Sequence, residues 1–134
     1  LKPNTGATPL FALSAVAIDT ETTGLEPSRS RVIEIGAVRI ANGRIDTGAP
    51  FSRVVNPGIP VPEQSRKFHG IPAAETDAAP PLRALWDGFR AFVGDRVWIG
   101  HSTGFDVAIL GAEAGRHRLR FPPPRALDIR LLAA

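Results

Sequence analysis

The sequence contains no cysteine. Disulfides and thiolate metal sites are therefore excluded, and any bound metal must be held by oxygen or histidine. The same absence is compatible with a reducing compartment, and a cytoplasmic location is expected. Long apolar runs are missing too. None approaches the roughly 20 residues that a membrane span needs, and the first residues lack the basic-then-apolar order of a secretory signal. No membrane partner is expected. Tyrosine is absent and histidine occurs only three times, shortages that bear on the chemistry below. The chain opens at Leu1 rather than methionine, which we read as the mark of a fragment.

What is present suits a globular protein. A length of 134 residues fits one domain, and folding at that size buries roughly two-thirds of the unfolded chain's surface. Of the 16 basic residues, 14 are arginine, and the net charge is +3. The planar guanidinium fork suits phosphate. A high-GC gene would enrich arginine, alanine, glycine and proline equally well, so the charge is only a mild pointer to nucleic acid.

Residues 1–13 carry Pro, Gly and Thr without periodicity and read as a tail or linker; a single domain is expected over 14–134. Ser14 to Thr20 is a short apolar run ending in an acid, which suits a buried central strand. Turn residues follow through Ser30. Arg31 to Ala41 is rich in Val and Ile, and Asn42-Gly43 is a strong hairpin signal. Arg44 to Val55 would be the return strand, interrupted near Gly48 and Pro50. Glu63 to Phe68 reads as a short helix ending at Gly70. Leu82, Leu85, Trp86, Phe89 and Phe92 or Val93 recur at helical spacing and are read as core. Arg96 to Gly100 is another buried strand. Phe105 to Gly115 reads as a helix with Val107, Leu110 and Ala114 on one side. Ala126 to Ile129 is a last strand, with a helix beginning after it. The order predicts an α/β fold with a mixed sheet flanked by helices. Open sheets of that kind place ligands at the C-terminal ends of their central strands.

Asp19 and Glu21 are one residue apart. On a continuous strand their side chains share a face, roughly 6–7 Å apart. Such neighbours repel unless a cation lies between them. Asp106 falls near the start of a predicted helix that follows the second buried strand, so the fold can bring it to the same strand ends. Phosphodiester hydrolysis needs such a cluster, because two hard cations roughly 3.5–4 Å apart can stabilise both the attacking and the leaving oxygen. Magnesium and manganese favour carboxylate oxygen. A lone D-x-E, by contrast, is more often a pair of solvated turn residues.

The wording around these acids is more specific. Residues 18–25, IDTETTGL, and residues 101–110, HSTGFDVAIL, resemble the first and second exonuclease blocks of the DEDD superfamily. NPGIPVP with FHGI (Asn56 to Pro62, Phe68 to Ile71) and RVIEIGAVRI are similar to the branch that contains the proofreading subunit of bacterial DNA polymerase III. The resemblance runs from about Ser14 to the end. It implies a ribonuclease H-like mixed sheet, with antiparallel β1-β2-β3 followed by parallel strands, and 3′-to-5′ removal of nucleotides, from DNA rather than RNA. It implies two Mg²⁺ or Mn²⁺ ions held by Asp19, Glu21 and Asp106, which are then the catalytic residues. It places Thr22, Leu25, His69 and Phe105 against the terminal nucleotide, and a DNA polymerase as a partner. Three positions have a structural alternative: Phe105 as core, His69 as a helix cap, and His101, which opens the second block, as a stabiliser of the strand-to-helix turn. Ser102 and Thr103 depart from the usual residues of the second block.

A third block is not found. In the DEDDh branch, which FHGI and the second block indicate, a histidine lies five residues before a fourth carboxylate; in the DEDDy branch a tyrosine takes that place. The last histidine is His117 and the only later Asp is Asp128, at the wrong spacing. Asp128 reads instead as a strand-end or capping residue. The expectation is a C-terminally truncated domain, weak or inactive alone, from an active parent. The alternatives are a non-catalytic nucleic-acid-binding or interaction module on the same fold, and an RNA-directed exonuclease.

Overall fold

The computed structural model describes residues 12–131, so the tail expected over residues 1–13 lies, apart from Ala12 and Leu13, outside the described residues. Strand β1 (Ser14–Thr22) is followed by β2 (Val32–Ala41) and β3 (Arg44–Val54). Helices α1 (Glu63–His69), α2 (Ala73–Ala78) and α3 (Leu82–Val93) lead to β4 (Val97–Gly100), α4 (Thr103–His117), β5 (Ala126–Asp128) and a 3-10 turn over Ile129–Leu131. The five strands form one sheet in the order β3-β2-β1-β4-β5. The β1-β2 and β2-β3 pairs are antiparallel, and the β1-β4 and β4-β5 pairs are parallel. This is the mixed, helix-flanked, ribonuclease H-like sheet that the sequence resemblance implied.

Local chemistry explains most of the boundaries. Asn42 and Gly43 both take positive φ, 52° and 74°, as a two-residue hairpin turn requires. Beyond it β2 and β3 pair from Ala41–Arg44 to Arg39–Asp46, and then the register jumps to Ala37–Phe51. The interruption expected near Gly48 and Pro50 is this bulge. Helices α1, α2 and α3 each begin directly after a proline, namely Pro62, Pro72 and Pro81. Proline supplies a preset φ where no amide donor is needed. Helix α2 was not expected, because six residues are too short for a periodic pattern to stand out.

Alternation along β1 sends Val16, Ile18 and Thr20 toward the helices and Ala15, Ala17, Asp19 and Glu21 to the other face. Ile35 and Ala37 of β2, Phe51 of β3 and Trp98 of β4 share the helix-facing side by register. They bury Leu82, Trp86, Phe89 and Val93 of α3 and Ile109, Leu110 and Ala114 of α4. Phe89 is central, with ring centroids 5.7, 5.5 and 5.8 Å from those of Phe51, Trp86 and Trp98. The Trp86 indole is satisfied by donating to the Arg120 carbonyl at 2.9 Å. Leu85 and Phe92 pack against this core only partly buried. On α4 the expected side is the packed one, with Leu110 and Ala114 buried and Val107 packed half-buried against the core. Ile109 and Glu113 widen it, because α4 packs across β1, β2, β4 and β5. The opposite face of the sheet carries an open apolar trough lined by Ala17, Gly36, Val38, Ile99 and Ile129.

Candidate active site

Strand β1 is regular through Asp19, Thr20 and Glu21, with a register shift only between Glu21 and Thr22. The two acids therefore share one face. Asp19 is exposed, opposite Gly36, where a Cβ would meet no atom closer than 3.9 Å. Glu21 is half-buried and paired across the strands with Glu34. Like charges in that arrangement repel. Partial burial, reinforced by Asp19, Glu34 and Asp106, pushes the Glu21 carboxyl above its ordinary value. Glu34 moves the same way, through burial and the charges of Glu75 and Asp19.

Asp106 enters from α4. That helix starts one turn after β4 ends, and three contacts hold its entry. Thr103 Oγ1 donates to the Gly100 carbonyl at 2.7 Å and to the Leu127 carbonyl at 3.1 Å. The Ser102 amide donates to Asp128 Oδ1 at 3.2 Å. Ser102 itself takes a left-handed conformation, φ 60°. Asp106 lies in the first turn, where the helix dipole favours a carboxylate. It is 3% exposed. Its Oδ1 accepts from the Thr20 hydroxyl at 2.6 Å and from the Thr20 amide at 3.1 Å. Burial pushes Asp106 up to about 6; the Thr20 hydroxyl opposes the shift and the Asp19 charge adds to it.

Thr20 thus ties Asp106 to the C-terminal end of β1, between Asp19 and Glu21, and the charges of Asp19 and Asp106 bear on the Glu21 carboxyl. All three offer hard oxygen donors, and their mutual repulsion is what a bound cation would relieve. Among the described residues no group of three His, Asp or Glu side chains is already set out to hold an ion. The donor chemistry fits a divalent metal, while the ligand shell is not closed by these residues as they stand.

The other positions are mixed. Thr22 Oγ1 donates to the Gly24 carbonyl at 2.6 Å and shapes the turn. Leu25 projects into solvent, 91% exposed, from a loop closed by the Thr23 amide on the Arg31 carbonyl at 2.9 Å. Phe105 packs partly buried against the core. His69 sits at the end of α1. Its Nδ1 accepts from the Ile71 amide at 3.0 Å, and Nε2 lies 3.2 Å from Ser65 Oγ, so the ring does the work of a cap. Burial, with Arg66 nearby, lowers its pKa. His101 is exposed and 3.5 Å from Ser102 Oγ. Thr103 and Asp128 make the shorter bonds across the strand-to-helix turn. Asp128 ends β5 and is bound by Arg130, as a strand-end residue would be.

Two residues escaped the sequence reading. Thr20 is a polar residue on the core side of an apolar strand, and such a group needs a partner. Glu113 is buried two helical turns after Asp106, on the same face of α4, and its Oε2 accepts from the Val32 amide at 3.2 Å. Its other oxygen pairs with Arg116 and lies 4.0 Å from Arg31 and His117.

Residues 16–133 match a protein-family profile described as RNase T, exonuclease. A DNA polymerase III subunit epsilon-like protein of Rhodobacter capsulatus is 39% identical over 128 residues, covering 95% of this chain and 18% of that protein. The DNA polymerase III subunit epsilon of Rickettsia prowazekii is 34% identical over 105 residues, covering 78% of this chain and 45% of that one. This chain therefore spans less than half the length of either relative. Among solved structures, exonuclease X in complex with 5′ overhanging duplex DNA superposes with a TM-score of 0.65 and 25% identity, covering 88% of this chain and 63% of that one.

Proposed function

Since the chain belongs to the RNase T exonuclease family of the DEDD superfamily, we propose that it forms the catalytic domain of a metal-dependent 3′-to-5′ exonuclease acting on DNA, of the proofreading type. The observation that carries this reading is the direct bonding of Asp106 on α4 to Thr20, the residue that stands between Asp19 and Glu21 on β1. In this reading Asp19, Glu21 and Asp106 would together hold two Mg²⁺ or Mn²⁺ ions, with Asp106 completing the set. Bound there, the ions would supply an activated water and stabilise the leaving oxygen.

The chain's own groups do the rest. The backbone at Thr22 and the exposed side chain of Leu25 receive the terminal nucleotide, with Phe105 packing near it or buttressing the site and His69 lining its pocket. No histidine or tyrosine stands at general-base spacing in this sequence. A general base contributes roughly 10²–10⁴-fold, so the 134-residue chain by itself is weak or inactive. A DNA 3′ end is the substrate and a DNA polymerase a fitting partner. No described helix is long and apolar enough to cross a membrane, and the absence of cysteine suits the cytoplasm.

A second reading is a nucleic-acid-binding module without catalysis, favoured by the ligand shell left open among the described residues. An RNA substrate is the third. Calorimetric titration with Mn²⁺, and digestion by the longer parent protein of single-stranded DNA and RNA labelled at the 5′ end, separate the three. Mn²⁺ binding lost in Asp19→Ala, with DNA shortened from its 3′ end, supports the proposal. Oligonucleotide binding with neither supports the module, and faster loss of RNA the third reading. Mn²⁺ binding unchanged in Asp19→Ala contradicts the assigned ligand.

A further inference from the structure

Thr20 stands between the two β1 acids, and the acidic pattern gives it no role. Alternation turns its side chain away from theirs and into the core, where it is 8% exposed. Both of its donors end on one atom: Oγ1 lies 2.6 Å and the amide 3.1 Å from Asp106 Oδ1. The hydroxyl distance is at the short end of the range for a bond between two oxygens. Two donors on one oxygen fix the rotation of the carboxyl group. They also tie the first turn of α4 to the strand that carries Asp19 and Glu21.

We propose that Thr20 is a positioning residue of the acidic site, holding the Asp106 carboxylate in register with Asp19 and Glu21 and leaving its second oxygen for a cation. The inference rests on the metal-site reading above. The bland alternative is a β-branched residue chosen for its fit to a strand, for which valine serves as well. The two differ in one atom. If shape is what matters, Thr20→Val is silent. If the hydroxyl matters, valine leaves the buried carboxylate one donor short. Partners that orient a metal ligand typically govern affinity about 10- to 100-fold.

The experiment compares the unaltered chain with Thr20→Val, Thr20→Ala, Thr20→Ser and Asp19→Ala. Mn²⁺ affinity is read by electron paramagnetic resonance, and folding by urea melts. Thr20→Val and Thr20→Ala, which remove the hydroxyl with different shapes, should each weaken Mn²⁺ binding about tenfold or more, and Thr20→Ser should restore most of it. In the metal-free chain the ¹³C resonance of the Asp106 carboxyl should move in Thr20→Val and return in Thr20→Ser. Binding that matches the unaltered chain in Thr20→Val but is lost in Asp19→Ala overturns the role of Thr20 and leaves the metal site standing. An Asp106 resonance that does not respond to the hydroxyl also overturns it. Equal behaviour of the unaltered chain and Asp19→Ala overturns the metal-site reading, and this inference with it.

Discussion

The backbone of Gly100 passes so close to Ile18 that a Cβ at Gly100 would stand 2.7 Å from the Ile18 carbonyl oxygen. Ile18 precedes Asp19, and Gly100 ends the strand from which α4 departs. The missing side chain thus sets how closely the two halves of the acidic cluster approach. Gly100→Ala must push β4 away from β1. We expect a loss of about 1–3 kcal/mol, the usual cost of overpacking, in urea unfolding, with weaker Mn²⁺ binding alongside. Unchanged stability would mean that the strands separate freely there.

Asp106 also makes stability depend on pH. In the absence of metal its folded-state value of about 6 lies above the ordinary 3.8. Between those limits the folded chain keeps a proton that the unfolded chain has released. Raising the pH strips that proton from the folded state, so stability falls through this window by up to roughly 3 kcal/mol. Glu21 and Glu34, also raised, act in the same direction. Urea midpoints in a chelating buffer should fall as pH rises through the window, and Asp106→Asn should flatten that slope. A midpoint that rises instead would contradict the assignment.

Glu113 fastens α4 to the start of β2. Glu113→Ala removes the acceptor of the buried Val32 amide and the partner of Arg116. An orphaned buried donor costs about 1–3 kcal/mol. The arginines it pairs with are partly exposed and can turn to water, so the loss should stay near that range. Glu113→Gln, which keeps a carbonyl for Val32, should lose less. Hydrogen exchange gives the local readout: the Val32 amide should lose protection in the alanine variant first.

Asp128 should act locally. Arg130, through its guanidinium and its amide, draws the carboxyl well below the usual range, and the Ser102 amide adds a further bond. Asp128→Ala should speed exchange of the Ser102 amide and loosen the entry to α4, with little change in the melting temperature. A large drop in melting temperature would show that the β5 end carries more of the fold than its exposure suggests.

Much of this was legible in the residues. Asn42-Gly43 announced its hairpin, and helical spacing named Leu82, Trp86 and Phe89 as core, with Leu85 only partly buried and the choice between Phe92 and Val93 left to the fold, which buries Val93. Helix α2 was hidden by its brevity. The face of α4 was legible in Val107, Leu110 and Ala114, but its extension to Ile109 and Glu113 was not, because spacing gives the period of a buried stripe and not its width, which depends on how many strands lie beneath. Which bonds His69 and Asp128 make was not legible either: His69 takes the Ile71 amide at the end of α1, and Asp128 takes the Ser102 amide at the entry to α4.

The sequence by itself determined the family, through two motif blocks whose residue types and order are specific, and it determined that Asp19 and Glu21 share a face, since strand alternation is a local property. Only the tertiary structure decided what stands against them. The pairing of Glu21 with Glu34, the two bonds from Thr20 to Asp106, the anchoring of α4 by Glu113 and the close pass of Gly100 over Ile18 all join residues distant in the chain. Such contacts depend on strand register and helix docking, which short-range patterns do not encode.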